Sequence, residues 1–195
     1  MTRVLVVGAG ALGSHVVQFL RSVPEISMRV VDDDRVEAKN VASQFHSKPN
    51  VSKSKVVSLS QTMNFLFGVK VETIPHRLVA DNAAELVRPV GFTGLVIDCL
   101  DNADSRRVLQ NAVRALNVPC LHGALAADGA FGRVVWDEVF TIDQEDAQGA
   151  ATCAGGEHLP FIAICAGYLA RAAQAYLEQD RKIGFHIHPS GAISI

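Results

Sequence analysis

Gly8-Ala9-Gly10-Ala11-Leu12-Gly13 is the segment from which the fold can first be predicted. It follows the apolar run Val4–Val7 and opens residues 11–22, where apolar side chains recur at three- and four-residue spacing. Glycines at this spacing allow a tight turn, a close backbone approach to phosphate, and close packing of helix on strand. Free N–H groups and the helix dipole then favour an anion. The stretch therefore predicts a phosphate-binding turn between a first strand and a first helix.

An acidic residue, Asp32, ends the next predicted strand, 24 residues after Gly8. A carboxylate at this place can accept hydrogen bonds from the hydroxyls of a ribose. The alternative is a glycine-rich turn that binds no ligand. NAD, FAD, S-adenosylmethionine and ATP all carry an adenosine moiety, so these residues predict a nucleotide without selecting one.

Short β-branched runs continue to alternate with stretches of helical period along the first part of the chain. Such runs, apolar on both faces and separated by helices, predict an α/β fold with a mostly parallel sheet covered on both sides. With the glycine turn this indicates a Rossmann-like, doubly wound sheet. The predicted strands are Val4–Val7, Met28–Val31, Val69–Ile74, Leu95–Ile97 and Cys120–Leu121, and the predicted helices are 11–22, 53–66, 80–88 and 104–116.

The pattern changes after residue 122, where antiparallel strands are expected. Phe131–Trp136 predicts a strand after the Asp128-Gly129 turn, and a helix is predicted at 159–179. Two short strands are predicted around Pro189-Ser190-Gly191. The polar, Gly/Ala-rich stretch 141–156, between the strand Phe131–Trp136 and the helix at 159–179, is predicted to be a loop.

Composition limits the class of protein. With 195 residues and 49% hydrophobic content, we predict one domain over 1–195, with a nucleotide-binding part at about 1–122 and a C-terminal part with a crossover loop at about 123–195. The 18 Lys+Arg against 20 Asp+Glu, without a basic run, argue against nucleic acid. No apolar run approaches the roughly 20 residues that span a bilayer. No secretory signal pattern opens the chain. We expect a cytoplasmic protein without a membrane partner.

The four cysteines stand at 99, 120, 153 and 165, with no C-x-x-C pair among them. We therefore expect no zinc site, and reduced thiols fit a cytoplasmic location. Cys99, Cys120 and Cys165 fall in or beside apolar segments and are predicted core residues. Cys153 falls in the polar stretch, where a thiol of lowered pKa could act as a nucleophile. The alternative for Cys153 is an unreactive small residue.

Further blocks of sequence follow in a set order. The first is Asp32-x-Asp34-x-Val36-x-x-x-Asn40, after which Lys55 opens a predicted helix. The later blocks are Asp98-Cys99-x-Asp101-Asn102 and Pro119-Cys120-Leu121-His122-Gly123, followed by Asp128-Gly129. In this order, and with the glycine turn, the chain resembles the ThiF/MoeB/HesA family, the bacterial relatives of ubiquitin-activating enzymes. The resemblance runs from residue 3 to about residue 180.

The resemblance implies an adenylyltransferase that uses ATP and Mg²⁺. In this family a carboxylate attacks the α-phosphorus of ATP and gives an acyl-adenylate plus pyrophosphate. The carboxylate is usually the C-terminal Gly-Gly end of a ubiquitin-like or sulfur-carrier protein. The resemblance also implies a homodimer.

The resemblance assigns roles to particular residues. It places Asp32 against the ribose and Asn40 and Lys55 against the phosphates, and it makes Asp101 the ligand of Mg²⁺. Asp101, Lys55 and Cys153 are the implied catalytic residues. The implied nucleotide-binding set is Gly8, Gly10, Leu12, Gly13, Asp32, Asp34, Asn40, Gln44, Lys55, Leu100, Asp101 and Asn102.

Two of these assignments have alternatives. Asp101 could instead cap the helix predicted at 104–116, although Asn102 or Asp104 could also do so. Lys55 could be a solvated helix charge, with Lys48 or Lys53 in its place.

The chain also departs from the family pattern. The family's arginine in N-x-x-R-Q is Ser43 here. Arg35, Lys39 or Lys48 could compensate for the lost charge, but a lysine or a distant arginine would not reproduce the forked contact. The family's N-terminal helix, whose arginine reaches a neighbouring subunit, is not expected from a chain that opens on the first strand. A nucleotide-binding relative that docks a partner without catalysis is therefore an alternative. An NAD(P)-dependent oxidoreductase rests on the glycine turn alone and is less favoured.

Overall fold

The computed structural model describes residues 1–91, 93–142 and 156–195. Its strands are β1 Thr2–Val7, β2 Ile26–Val31, β3 Val71–Ile74, β4 Leu95–Asp98, β5 Cys120–Leu125, β6 Gly132–Trp136, β7 Phe185–His188 and β8 Gly191–Ser194. Its α-helices are α1 Ala11–Leu20, α2 Lys55–Phe67, α3 Ala80–Val87, α4 Ala103–Ala115 and α5 Leu159–Gln179. Two 3₁₀ helices, Ala38–Ala42 and Lys48–Asn50, lie between β2 and α2.

Within the described residues the strands form one sheet in the order β3-β2-β1-β4-β5-β6-β7-β8. β1 to β5 are parallel, and β6, β7 and β8 each run antiparallel to the preceding strand. The predicted fold class is confirmed, including the antiparallel C-terminal part. The strand order reverses between β1 and β4. In open α/β sheets such a reversal leaves a crevice at the carboxyl ends of the strands, and ligands bind there.

Several strand boundaries differ from the predicted ones, and two of the differences have a clear physical cause. β5 continues to Leu125 because it pairs with β6, with Leu125 opposite Gly132, and this pairing is not visible in the local sequence. β3 begins at Val71 and not at Val69, because Gly68 ends α2 in the left-handed conformation. The N–H of Val69 still donates to the carbonyl of Met63, so Val69 belongs to the helix end. Residues 143–155 of the predicted loop lie outside the described residues.

Each face of the sheet carries its own hydrophobic core. Helices α1, α2 and α5 cover one face, where Leu20, Leu59 and Leu169 are fully buried. Helices α3 and α4 cover the other, where Val87 and Leu109 are fully buried. None of the described helices is long and apolar enough to cross a membrane. The sheet is thus doubly wound, as the alternating apolar runs predicted.

The glycine turn is packed directly against the residues that follow β4. Gly8 has a φ of +98°, and a Cβ on it would lie 2.7 Å from the carbonyl oxygen of Cys99. A Cβ on Gly13 would lie 1.8 Å from the carbonyl oxygen of Gly8. Since these obstacles are backbone atoms, no side-chain rotation can relieve them. Helix α1 can approach the turn this closely only with glycine at both positions.

We expect Gly13→Ala to lower the free energy of unfolding by about 2–3 kcal/mol, because α1 must move away from the turn. Gly10→Ala is the matched control, since a Cβ on Gly10 meets nothing within 4 Å. Its cost should stay below about 1 kcal/mol. Urea denaturation without nucleotide measures both. Equal losses in the two variants would contradict the close approach.

Candidate active site

A pocket opens where the carboxyl ends of β1, β2, β3 and β4 meet. Gly8 and Gly10 form its floor, and Lys55 enters from the start of α2. Most of the other lining residues follow the strands: Asp32 to Asp34 after β2, His76 to Leu78 after β3, and Cys99 to Asn102 after β4. Val31 at the end of β2 and Ser105 in α4 complete the lining. The pocket therefore lies at the reversal of strand order, where the topology favours a ligand site.

Asp32 connects the glycine turn to the end of β2. One carboxylate oxygen accepts the N–H of Ala9 at 2.6 Å, and the other accepts the N–H of Asp34 at 2.8 Å. Burial raises the pKa of Asp32, while the Ala9 hydrogen bond acts in the opposite direction. Because each oxygen keeps a lone pair, Asp32 can still accept a hydroxyl from the pocket.

Lys55 has a buried side chain that is 9% exposed. Its ammonium lies 2.7 Å from a carboxylate oxygen of Asp34. Burial alone would lower the pKa of Lys55, but the Asp34 hydrogen bond and nearby carboxylates, among them Asp101, raise it. Lys55 is therefore not a solvated helix charge. Neither Lys48 nor Lys53 lines the pocket.

Asp101 lines the pocket and does not cap α4. The cap is Asn102, whose side-chain oxygen accepts the N–H of Ser105 at 2.8 Å. Asp104 is exposed and pairs with Arg107 at 2.8 Å. Within the described part of the chain, the Asp101 carboxylate has no hydrogen-bond partner. It is exposed and available to a ligand.

Several residues of the implied nucleotide-binding set do not line the pocket. Leu12 packs in the core, and Gly13 lies behind Gly8. The Asn40 side chain accepts the N–H of Glu37 at 2.9 Å and so closes the turn before the first 3₁₀ helix. Gln44 is buried, and its side-chain oxygen has no partner among the described residues. The pocket lining thus holds the rest of the set: Gly8, Gly10, Asp32, Asp34, Lys55, Leu100, Asp101 and Asn102.

The cysteines divide into two groups. Cys99, Cys120 and Cys165 are buried free thiols, as predicted for core residues. Burial raises the pKa of Cys165 to about 12, and it also raises the pKa of Cys99 and Cys120. These three are therefore poor nucleophiles. Cys153 lies outside the described residues, so its catalytic role stays a prediction.

The predicted site did not include His76 and Arg77, which are exposed and line the pocket after β3. They belong to no motif. Their position could have been found from the prediction that β3 is parallel to β2, because parallel strands end at the same edge. Ser43, which replaces the family arginine, is fully buried and does not line the pocket.

A buried ionic network includes Asp98, the last residue of β4, which directly precedes Cys99 of the pocket lining. The two ring nitrogens of His122 lie 2.7 Å from a carboxylate oxygen of Asp98 and 3.1 Å from one of Asp137. Burial disfavours the charged ring, but the Cys120 sulfur and the two carboxylates raise the pKa of His122 to about 11. Burial also opposes the charge on Asp137, yet hydrogen bonds from His122 and neighbouring side chains lower the pKa of this carboxyl to about 2. His122 is therefore an imidazolium held between two carboxylates.

The chain matches known proteins in sequence as well as in geometry. The sequence model of the ThiF family matches residues 1–186. The chain belongs to the ThiF family. It is 36% identical over 124 residues to the sulfur carrier protein adenylyltransferase of Thermus thermophilus, covering 63% of this chain and 45% of that protein. It is 35% identical over 126 residues to the SAMP-activating enzyme E1 of Haloferax volcanii, covering 64% and 46%. This ThiF-family chain thus spans less than half the length of either relative.

Solved structures share the fold of this ThiF-family chain. The match to PaaA covers all of this chain and 63% of PaaA, with a TM-score of 0.74 at 19% identity. The match to the E. coli tRNA N6-threonylcarbamoyladenosine dehydratase TcdA covers 92% of this chain and 87% of TcdA, with a TM-score of 0.71 at 17% identity. The match to E. coli MccB, solved with ATP, covers all of this chain and 62% of MccB, with a TM-score of 0.70 at 15% identity.

The raised pKa of His122 predicts a pH dependence of stability. Because the pKa rises from 6.5 to about 11 on folding, the stabilisation is complete below pH 6.5 and is lost progressively as the pH approaches 11. We expect the urea midpoint to fall between pH 7 and 10 in the wild type. His122→Gln should cost about 3–5 kcal/mol at pH 6 and show a smaller alkaline fall.

His186→Gln, at an exposed histidine on β7, is the matched control and should keep the wild-type alkaline fall. Parallel pH curves for the wild type and His122→Gln would contradict the charged state assigned to His122.

Proposed function

We propose that this chain adenylylates the C-terminal carboxylate of a ubiquitin-like or sulfur-carrier protein that ends in Gly-Gly. The observation that carries the proposal is the pocket at the strand-order reversal, in which the glycine turn, Lys55 and Asp101 meet. Membership of the ThiF family supports it. So do relatives named as a sulfur carrier protein adenylyltransferase and a SAMP-activating enzyme E1.

The charge of the pocket supports a divalent cation as cofactor. Four carboxylates line the pocket, against one lysine and one arginine. A triphosphate is strongly anionic, so it would be repelled from this lining without a counter-ion. Asp101 offers carboxylate oxygens that no described residue occupies, and Mg²⁺ prefers such ligands. Bound there, Mg²⁺ would neutralise charge on the phosphates.

The residues of the pocket support each part of adenylyl transfer. The N-terminal N–H groups of α1 can hold a phosphate, and Asp32 can accept a ribose hydroxyl. Lys55, whose pKa is raised, stays protonated and can stabilise the negative charge that develops during attack. The carboxylate oxygen of the carrier forms a bond to the α-phosphorus, and the bond from that phosphorus to the departing pyrophosphate oxygen breaks.

A later acyl transfer and the assembly of the chain are two finer parts of the proposal. Since the described cysteines are buried, we assign any later transfer of the acyl group to Cys153. Its thiolate would form a bond to the acyl carbon, and the bond from that carbon to the phosphate oxygen of AMP would break, which gives a thioester and free AMP. We also propose that the chain forms a homodimer.

We expect Asp101→Asn to reduce carrier-dependent ATP–pyrophosphate exchange by about 10²–10³-fold, because the proposed metal ligand loses its charge. Asp104→Asn is the matched control, because this carboxylate lies three residues away and does not line the pocket. Its exchange should stay within about twofold of wild type. Urea midpoints check that both variants are folded.

Exchange unaffected by Asp101→Asn would contradict the role of Asp101. The replacement of the family arginine by Ser43 favours a second candidate, a relative that binds nucleotide and docks a partner. Wild-type protein that binds ATP yet gives no exchange with any Gly-Gly carrier would support that candidate.

A further inference from the structure

Asp101 lies in a turn after β4 whose backbone is hydrogen-bonded to buried side chains. The residue before it, Leu100, has both backbone polar groups engaged. Its N–H donates to a carboxylate oxygen of Asp98 at 2.9 Å, and its carbonyl accepts from the guanidinium of Arg106. The peptide units that lead into Asp101 are therefore fixed by two side chains outside the pocket lining.

Asp98 and Arg106 also bind each other. A guanidinium nitrogen of Arg106 lies 2.9 Å from the Asp98 carboxylate, and these side chains are 0% and 10% exposed for the aspartate and the arginine. A second nitrogen of Arg106 donates to the carbonyl of Gly123 on β5 at 2.8 Å. The forked guanidinium thus joins α4, the turn after β4, and β5 in one geometry, which a point charge would not reproduce.

His122 also binds Asp98. Its Nδ1 lies 2.7 Å from the same carboxylate oxygen that Arg106 binds. Its own orientation is set by Asp137 and by Phe140, whose ring stacks on the imidazole at 4.0 Å between centroids and 3° between planes. Asp137 is in turn bound by Arg114 at 2.7 Å. The carboxylate of Asp98 is consequently locked from several directions.

We propose that Arg106 and His122 are positioning residues, which fix the Leu100–Asp101 turn through Asp98 and so set the place of the Asp101 carboxylate in the pocket. What Asp101 does there rests on the proposed function. Its placement does not.

Packing alone does not account for this arrangement. Apolar side chains of similar volume often stabilise a fold as well as a buried ion pair does. Apolar groups, however, could not donate to the carbonyl of Leu100 or orient Asp98 toward its N–H. Misplacement of a catalytic group by about 1 Å can cost about 10²-fold in rate, so a fixed turn has a direct consequence for chemistry.

The test compares two adjacent arginines of α4. Arg106→Met removes the buried guanidinium, whereas Arg107→Met removes one that is 54% exposed and pairs only with Asp104 among the described residues. Arg106→Lys keeps the positive charge but loses the forked guanidinium, and its urea midpoint checks that it is folded. The first readout is hydrogen exchange of the Leu100 amide, measured by NMR in nucleotide-free protein. The second is the Mg²⁺ concentration for half-maximal ATP–pyrophosphate exchange.

We expect Leu100 amide exchange to be at least about tenfold faster in Arg106→Met and intermediate in Arg106→Lys. His122→Gln should also speed it, and Arg107→Met should leave it unchanged. The Mg²⁺ requirement should rise about tenfold in Arg106→Lys, with the KM for ATP within about threefold of wild type.

Unchanged Leu100 protection in both Arg106 variants, whatever their global stability, would overturn the positioning role. If wild-type protein shows no pyrophosphate exchange at all, the proposed function fails, and the amide exchange still decides whether these residues fix the turn.

Discussion

The whole site depends on one close approach of two backbone segments. A Cβ on Gly8 would collide with the carbonyl oxygen of Cys99, and a Cβ on Gly13 would collide with the carbonyl oxygen of Gly8. This close approach places the positive N-terminal end of α1 beside the turn that carries Asp101, at the pocket between β1 and β4. A methyl group at either glycine would push apart α1, the glycine turn and the turn that carries Asp101. The pocket forms because these three segments pack closely against one another.

The fold and much of the site follow from local sequence, for a physical reason. Motif residues such as Asp32 and Asp101 come just after apolar strands, and parallel strands end at one edge of the sheet, so their meeting is predictable. The extension of β5 to Leu125 could not be predicted, because it depends on pairing with β6. Arg77 of the pocket lining could not be predicted because it lies in a loop without a motif. Asn40 does not line the pocket, and its side chain instead accepts the N–H of Glu37 within a local turn.

The buried ionic network could not be predicted from the sequence, for a different reason. Asp98, His122 and Asp137 are 24 and 15 residues apart in sequence and meet only because β4, β5 and β6 are neighbours. Local sequence shows Arg106 as one polar residue of an amphipathic helix. Taking these charges out of water is costly, and they are tolerated because each is paired and hydrogen-bonded. The result is a rigid support under a turn whose carboxylate remains open to a ligand.

The proposed function requires that the pocket between β1 and β4 bind ATP with a divalent cation. This can be measured by calorimetric titration of the nucleotide-free chain with ATP, in the presence and absence of Mg²⁺, and separately with NAD. We expect one ATP bound per chain, weaker binding when Mg²⁺ is withheld, and no binding of NAD. Binding of NAD with no binding of ATP would show that the pocket is not an ATP site.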